Sequence, residues 1–343
     1  MTSNERLRTV LAGRATDRPL FCPAVYEHKA RLIERSPSEV ARDGRLVEQA
    51  VVREYELYRP DLLTVGIDVY NVEAEAMGGT VMFPDQEQAV PIIVERLLDD
   101  PSQLDRLCPV DPESSGRMPL FLEAASRLHA RLGDQVCIRG SLSGPYSVAA
   151  ELLGAEPLMM ACITQPEEVD RLLEACASVV VAYGCAFLKR GVEVCLFDSQ
   201  TAPPLMSPRT YRELVLPHVK RLVAQLRAAG ATFVEYVVGG NTTPNIDNLI
   251  ETSCDILLCD FSADIDAYLT KLDGTSRLVR WNINPIVIER DSFEEMQKHV
   301  FQVINKAKDH ARLLIGTGVL SYATDPKRIQ EIRRMMIQAF DHS

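Results

Sequence analysis

Eight short apolar runs, at 20–25, 62–65, 136–138, 192–197, 233–238, 256–259, 278–281 and 312–315, recur along the 343 residues. Most are followed by a stretch whose apolar residues repeat with helical period. A run that is apolar throughout, without alternation, is a strand buried on both faces, and such strands belong to parallel sheets covered by helices. The helical stretches are 38–58, opened by Ser36-Pro37-Ser38-Glu39 and closed by Arg59-Pro60, then 166–190, 208–229, 246–252, 265–272 and 292–308. Eight strands alternating with helices predict an α/β fold, a closed (β/α)8 TIM barrel in preference to an open doubly wound sheet.

The interval between the second and third runs departs from this rhythm. It holds a hairpin-like stretch around Gly78-Gly79-Thr80-Val81-Met82-Phe83, an irregular piece at 101–117 and a helix over 119–132. The region 72–132 therefore reads as an insertion at the barrel mouth, and 1–343 as a single domain without linker, low-complexity tract or internal repeat.

Charge and composition narrow the function. With 37 Lys+Arg against 48 Asp+Glu the net charge is −11, and there is no basic run, so nucleic acid is excluded as a partner. The polar start Met1-Thr2-Ser3-Asn4-Glu5-Arg6 and the lack of a window of roughly 18 apolar residues predict a cytoplasmic protein with no membrane partner. Nine cysteines, scattered singly and with no CxxC, read as buried free thiols in a reducing compartment, not as a disulfide framework or structural zinc site.

In a barrel of this kind chemistry lies at the C-terminal ends of the strands. The polar residues after each run are Tyr26, Glu27 and His28; Asp68, Tyr70 and Asn71; Ser141, Ser143 and Tyr146; Asp198, Ser199 and Gln200; Gly239, Gly240 and Asn241; Asp260; Asn282 and Asn284; and Thr317. Carboxylates with one imidazole suit proton transfer or a hard cation, which selects Asp68, His28 and Asp198 as catalytic candidates and as the ligands of any metal. Tyr26, Glu27, Asn71, Tyr146, Ser199, Asn241, Asn282 and Thr317 are the substrate-binding candidates. The histidines at 129, 218, 299, 310 and 342 fall on helices or the tail and read as solvent or packing residues. Gly239-Gly240-Asn241-Thr242-Thr243-Pro244 forms a glycine-rich turn whose amides could face a ligand, without the lysine of a P-loop.

These strand-end residues resemble the uroporphyrinogen decarboxylase superfamily, which includes that decarboxylase and cobamide-dependent methyltransferases. The resemblance spans nearly the whole chain. It runs through Asp17-Arg18-Pro19, Ile67-Asp68-Val69, Val72-Glu73-Ala74-Glu75-Ala76-Met77-Gly78 and Ser143-Gly144-Pro145-Tyr146. It continues through Phe197-Asp198-Ser199, Ala202-Pro203-Pro204-Leu205-Met206-Ser207-Pro208, Gly240-Asn241-Thr242-Thr243-Pro244, Asn282-Ile283-Asn284-Pro285 and Gly316-Thr317-Gly318. The Glu-Ala-Glu-Ala-Met-Gly, Ala-Pro-x-Leu-x-Ser-Pro and Gly-Asn-Thr-Thr-Pro stretches are more similar to the methyltransferase branch.

The departures matter as much. The decarboxylase has an arginine-rich segment after its first strand, where this chain has Ala24-Val25-Tyr26-Glu27-His28-Lys29. An eight-carboxylate substrate would be poorly received there. By the resemblance Asp68 matches the aspartate that faces the pyrrole nitrogens and Ser199 a substrate-binding serine, while Glu151 stands at a tyrosine position and Thr317 at a histidine position. The methyltransferase zinc ligands, a His-x-Cys pair and a third Cys, correspond to Val237, Gly239 and Thr317, so the usual zinc site is absent.

Three readings follow. The first is a methyltransferase working with a corrinoid on a partner protein, or on a small methylated compound, through a site without zinc. The second is a metal-independent decarboxylase of a pyrrole or small carboxylate, with Asp68 stabilising developing positive charge. The third is a non-catalytic barrel that binds a ligand or a corrinoid protein. A homodimer stays open in each.

Overall fold

The computed structural model describes residues 1–86 and 88–341; His342, assigned above to the tail, lies outside them. Eight parallel strands form one sheet: β1 Phe21–Cys22, β2 Leu62–Val65, then, beyond the antiparallel hairpin β3 Thr80–Met82 and β4 Ile92–Glu95, β5 Cys137–Ser143, β6 Glu193–Phe197, β7 Val234–Val237, β8 Ile256–Cys259, β9 Leu278–Ile283 and β10 Leu313–Thr317. Their order in the sheet is β1-β10-β9-β8-β7-β6-β5-β2, the sequential winding of a (β/α)8 barrel with one seam between β1 and β2.

The seam is closed by Asp61. Its N–H donates to the Phe21 carbonyl at 2.8 Å, and its side chain accepts the Phe21 N–H at 2.8 Å. The same buried carboxylate is held by Arg6 at 2.7 Å and Arg18 at 2.6 Å, and Asp17 in turn holds Arg6 at 2.7 Å. The Asp17-Arg18-Pro19 segment thus acts as a clamp at the N-terminal end of the barrel.

β2, β7 and β8 are buried at every position, as their apolar runs predict. β5 extends beyond the expected 136–138, because Arg139 and Gly140 interrupt its apolar run for reasons internal to the barrel. Arg139 pairs with Glu235 of β7, and Arg280 of β9 holds the other carboxylate oxygen at 2.7 Å. Gly140 lies under Phe187, where a Cβ would sit 2.4 Å from the ring.

Two expected helices are broken. The stretch 38–58 divides into Pro37–Val40 and Gly44–Tyr58, because Asp43 caps the second piece by accepting from the Arg45 N–H at 2.7 Å. The stretch 208–229 contains a π-helical turn, Tyr211–Val215, just before Pro217, which has no N–H to give to a regular helical bond. Met118–Leu132, expected as part of the insertion, packs against Gly44–Tyr58 and β5 as an outer helix of the barrel.

Two composition readings change. Pro166–Leu188 is long and apolar enough to cross a membrane, contrary to the reading that no such window exists; more than half of its apolar window is buried, and it packs on β5 and β6. All nine cysteines are free, yet Cys108 is exposed on the irregular 101–117 piece and Cys137 and Cys185 are half-buried.

Candidate active site

A cavity of about 830 Å³ opens at the C-terminal end of the barrel. Tyr26 and Glu27 after β1, Asp68 and Asn71 after β2, Ser199 after β6, Asp260 after β8 and Asn282 on β9 all line it. Walls come from Ile67, Phe197, Val237, Leu258 and Phe261, and the hairpin adds Val90, Pro91, Ile92 and Ile93.

Asp68 is fixed from both sides. Arg117 donates to Oδ2 at 2.8 Å, and Asn71 donates to Oδ1 at 2.6 Å. Asn71 also donates to the Pro91 carbonyl at 2.8 Å, which ties the hairpin to the site. Burial pushes the Asp68 carboxyl up, against the pull of Arg117 and Asn71. Arg117 is held in turn by Glu75 at 2.6 Å and lies 5.0 Å from the Phe83 ring centre. Glu73, in the same segment as Glu75, caps β5 by accepting the Ser143 N–H at 2.7 Å, and burial raises it to about 7.

On the opposite wall Asn282 donates to Asp260 Oδ1 at 3.0 Å, and Asp260 Oδ2 accepts the Gly240 N–H at 2.9 Å. Ser199 Oγ accepts the Gly239 N–H at 3.0 Å. The glycine turn therefore spends its amides on the protein, not on a ligand. Asn241 faces outward, its Oδ1 accepting from the Thr243 N–H at 3.2 Å, and does not line the cavity.

Four other candidates sit in the shell around the cavity. His28 is fully buried between the Tyr58 hydroxyl, 2.7 Å from Nε2, and the Tyr322 carbonyl, and burial lowers it to about 4. Asp198 accepts from the N–H and Oγ of Ser147 and from Tyr236, and burial raises it to about 6. It packs so closely on Gly144 that a Cβ there would meet it at 2.1 Å. Tyr146 is buried away from the mouth, and the Thr317 hydroxyl accepts the Ala24 N–H at 2.9 Å. Each belongs to a strand end, but none of the four side chains lines the cavity.

Ser141 donates to the Val65 carbonyl and Ser143 to the Val69 carbonyl. Asn284 caps Pro285–Arg290. His129, His218 and His299 lie on outer helices, where His218 meets Asp170 at 2.8 Å, and His310 caps one. Lys29, the lysine next to the first strand end, is buried against Glu54 at 3.2 Å.

Besides Asp260, which is held by the neutral donors above, two lining carboxylates make no ion pair among the described residues. Glu151, on the helix Pro145–Leu153, receives only Gln200, at 3.2 Å. Glu27 makes no ion pair. Burial raises both. Glu151, Arg117 and the hairpin residues were outside the candidate set, since a strand-end rule does not reach the helix after β5 or the insertion. Arg280, also in the lining, sits mid-strand among apolar neighbours, which hides it from the same rule.

The family model described as Uroporphyrinogen decarboxylase (URO-D) matches residues 2–337. The chain belongs to the uroporphyrinogen decarboxylase family. It is 25% identical over 301 residues to the uroporphyrinogen decarboxylase of Trichodesmium erythraeum, across 84% of this chain and 82% of that one. It is 24% identical over 327 residues to methylcobamide:CoM methyltransferase MtbA of Methanosarcina acetivorans, across 93% and 91%. A solved methyltransferase from Methanosarcina mazei shares the fold with a TM-score of 0.86 at 18% identity, covering 100% of this chain and 99% of that one. The family relatives named here are enzymes of two reaction types, methyl transfer and decarboxylation.

The residues do not fit a zinc centre of the kind the methyltransferase resemblance implies. Val237 and Gly239 offer no side-chain donor and Thr317 is used by Ala24. His28, Asp68 and Asp198 do not converge either, each being held by different partners, and no group of three or more His, Cys, Asp or Glu able to hold a metal occurs among the described residues.

Proposed function

We propose that this member of the uroporphyrinogen decarboxylase family is a methyltransferase that works on a small uncharged or cationic methylated compound together with a corrinoid on a partner protein. The observation that supports this is the charge of the cavity: of the four carboxylates that line it, Glu27, Asp68, Glu151 and Asp260, Asp68 alone has an ion-pair partner among the described residues, Arg117, and the lining guanidinium, Arg280, is held by Glu235. Uroporphyrinogen carries carboxylates that would lose their water here with no free arginine to receive them. A thiol acceptor would find no zinc to activate it.

The corrinoid supplies the group that takes up or gives the methyl. Ile92, Phe261 and Val319, apolar and 44, 41 and 54% exposed around the mouth, are the residues that would bear its macrocycle. Tyr26 and Phe197 keep water from the floor. Asp68, with both oxygens engaged, is a fixed negative anchor in place of a proton shuttle, and Glu151 is the carboxylate left to hold a proton or a positive charge at the substrate.

The test is methylation of free cobalamin, reduced to the Co(I) state, by the purified protein with a panel containing a methylated amine, an aryl methyl ether and a dialkyl sulfide. Growth of methylcobalamin absorption above a protein-free control is the expected result. No methylation from any donor, together with carbon dioxide release from a pyrrole carboxylate, would overturn the proposal in favour of a lyase.

A further inference from the structure

The chemistry of the cavity narrows the substrate further, taking the methyl-transfer reading above as its basis. We infer that the substrate group bound here is a methylated ammonium cation.

Its charge balance comes first. Among the described residues the cations in and beside the lining are held by carboxylates: Arg280 by Glu235 at 2.7 Å, which Arg139 shares, Arg117 by Asp68 at 2.8 Å and Glu75 at 2.6 Å, and Lys29 by Glu54 at 3.2 Å. With Asp260 held by the neutral donors Asn282 and Gly240 N–H, Glu27 and Glu151 are the half-buried lining carboxylates that make no ion pair among the described residues, Lys29 acting on Glu27 only from beyond ion-pair distance. A half-buried carboxylate without an ion pair is disfavoured as an anion, and an incoming cation relieves this.

The walls supply the second argument. Tyr26, Tyr70, Phe197 and Phe261 all line the cavity, and Tyr26 and Phe197 stand edge to face, 88° apart with ring centres at 5.4 Å. Aromatic faces attract a diffuse cation whose methyl groups also bury apolar surface, and they do so without a geometric demand for N–H donors. A primary ammonium or a metal ion would leave this apolar area unused.

The discriminating pair of probes is choline and 3,3-dimethylbutan-1-ol, which share a shape and differ in having nitrogen with a charge or neutral carbon at the centre. Titration calorimetry on the intact protein should show choline binding about tenfold more tightly than the alcohol. In Glu27→Gln and Glu151→Gln, which keep side-chain volume, the two probes should bind within about threefold of each other. Equal binding of the two by the unmodified protein, binding of neither, or preference for a sulfonate of similar size would overturn the inference. The cobalamin assay separates the two proposals. Preference for choline without methylation of cobalamin by any donor sinks methyl transfer and leaves the cation site. Methylation from an aryl ether with no preference for choline does the reverse.

Discussion

The two ends of this barrel treat acidic side chains in opposite ways. At the N-terminal end Asp61 is gripped by Arg6 and Arg18, and in the middle Glu235 lies between Arg139 and Arg280. At the mouth Asp68 is held by Arg117, whereas Glu27 and Glu151 make no ion pair among the described residues. Charge that serves the architecture is neutralised inside the chain, because an unpaired buried charge would cost more than the fold can spare. On the proposed reading, the charge left open at the mouth is there for a ligand to complete.

The contrast can be broken most severely at the seam. Asp61→Ala strands two arginines and removes the carboxylate that fastens Phe21 at the seam, leaving Arg139, which bonds both Cys22 and Thr64, to bridge β1 and β2, and should cost about 4 kcal/mol in urea unfolding. A loss within error of zero would show that the clamp carries no structural charge.

The next largest effect is a pH dependence. Burial holds Glu73 at about 7 and Asp198 at about 6, above their ordinary 4.5 and 3.8. The folded chain then binds more protons than the unfolded one, so this part of the stability is complete below those ordinary values and is lost as pH rises to about 6 and 7. Glu73→Gln should flatten the decline by on the order of 3 kcal/mol between pH 4.5 and 7, read from unfolding midpoints across that range.

His28→Ala comes third. It leaves the Tyr58 hydroxyl without its partner and should lower stability by about 2 kcal/mol, with choline affinity unchanged because His28 does not reach the cavity. A loss of affinity equal to that in Glu151→Gln would return His28 to the site. The smallest stability effect is that of Glu151→Gln itself, within about 0.5 kcal/mol of the unmodified protein, while its binding preference collapses.

These four positions also mark how far the amino-acid pattern alone could be read. Strands buried on both faces are apolar runs, so β2 and β8 stand out with their full lengths, and β5 is cut short where Arg139 and Gly140 serve the interior. Strand ends point to the mouth, and Tyr26, Glu27, Asp68, Asn71, Ser199 and Asn282 are brought together there. Direction within a turn is not written in the pattern. His28 is one residue from Glu27 and Asp198 one from Ser199, yet their side chains are held in the shell by Tyr58 and by Ser147. Arg117 reaches Asp68 across 49 positions of chain and leaves no local signal.

The seam has one more consequence. A ring of strands offers no terminal strand to a neighbouring molecule, which protects a parallel sheet from joining others edge to edge. In this chain, with Arg139 bridging the same two strands from inside, a carboxylate at one end of the seam acts as a clasp. Releasing it would turn a closed surface into a sheet with two bare margins, and the danger would then be misassembly between molecules as much as loss of the fold within one.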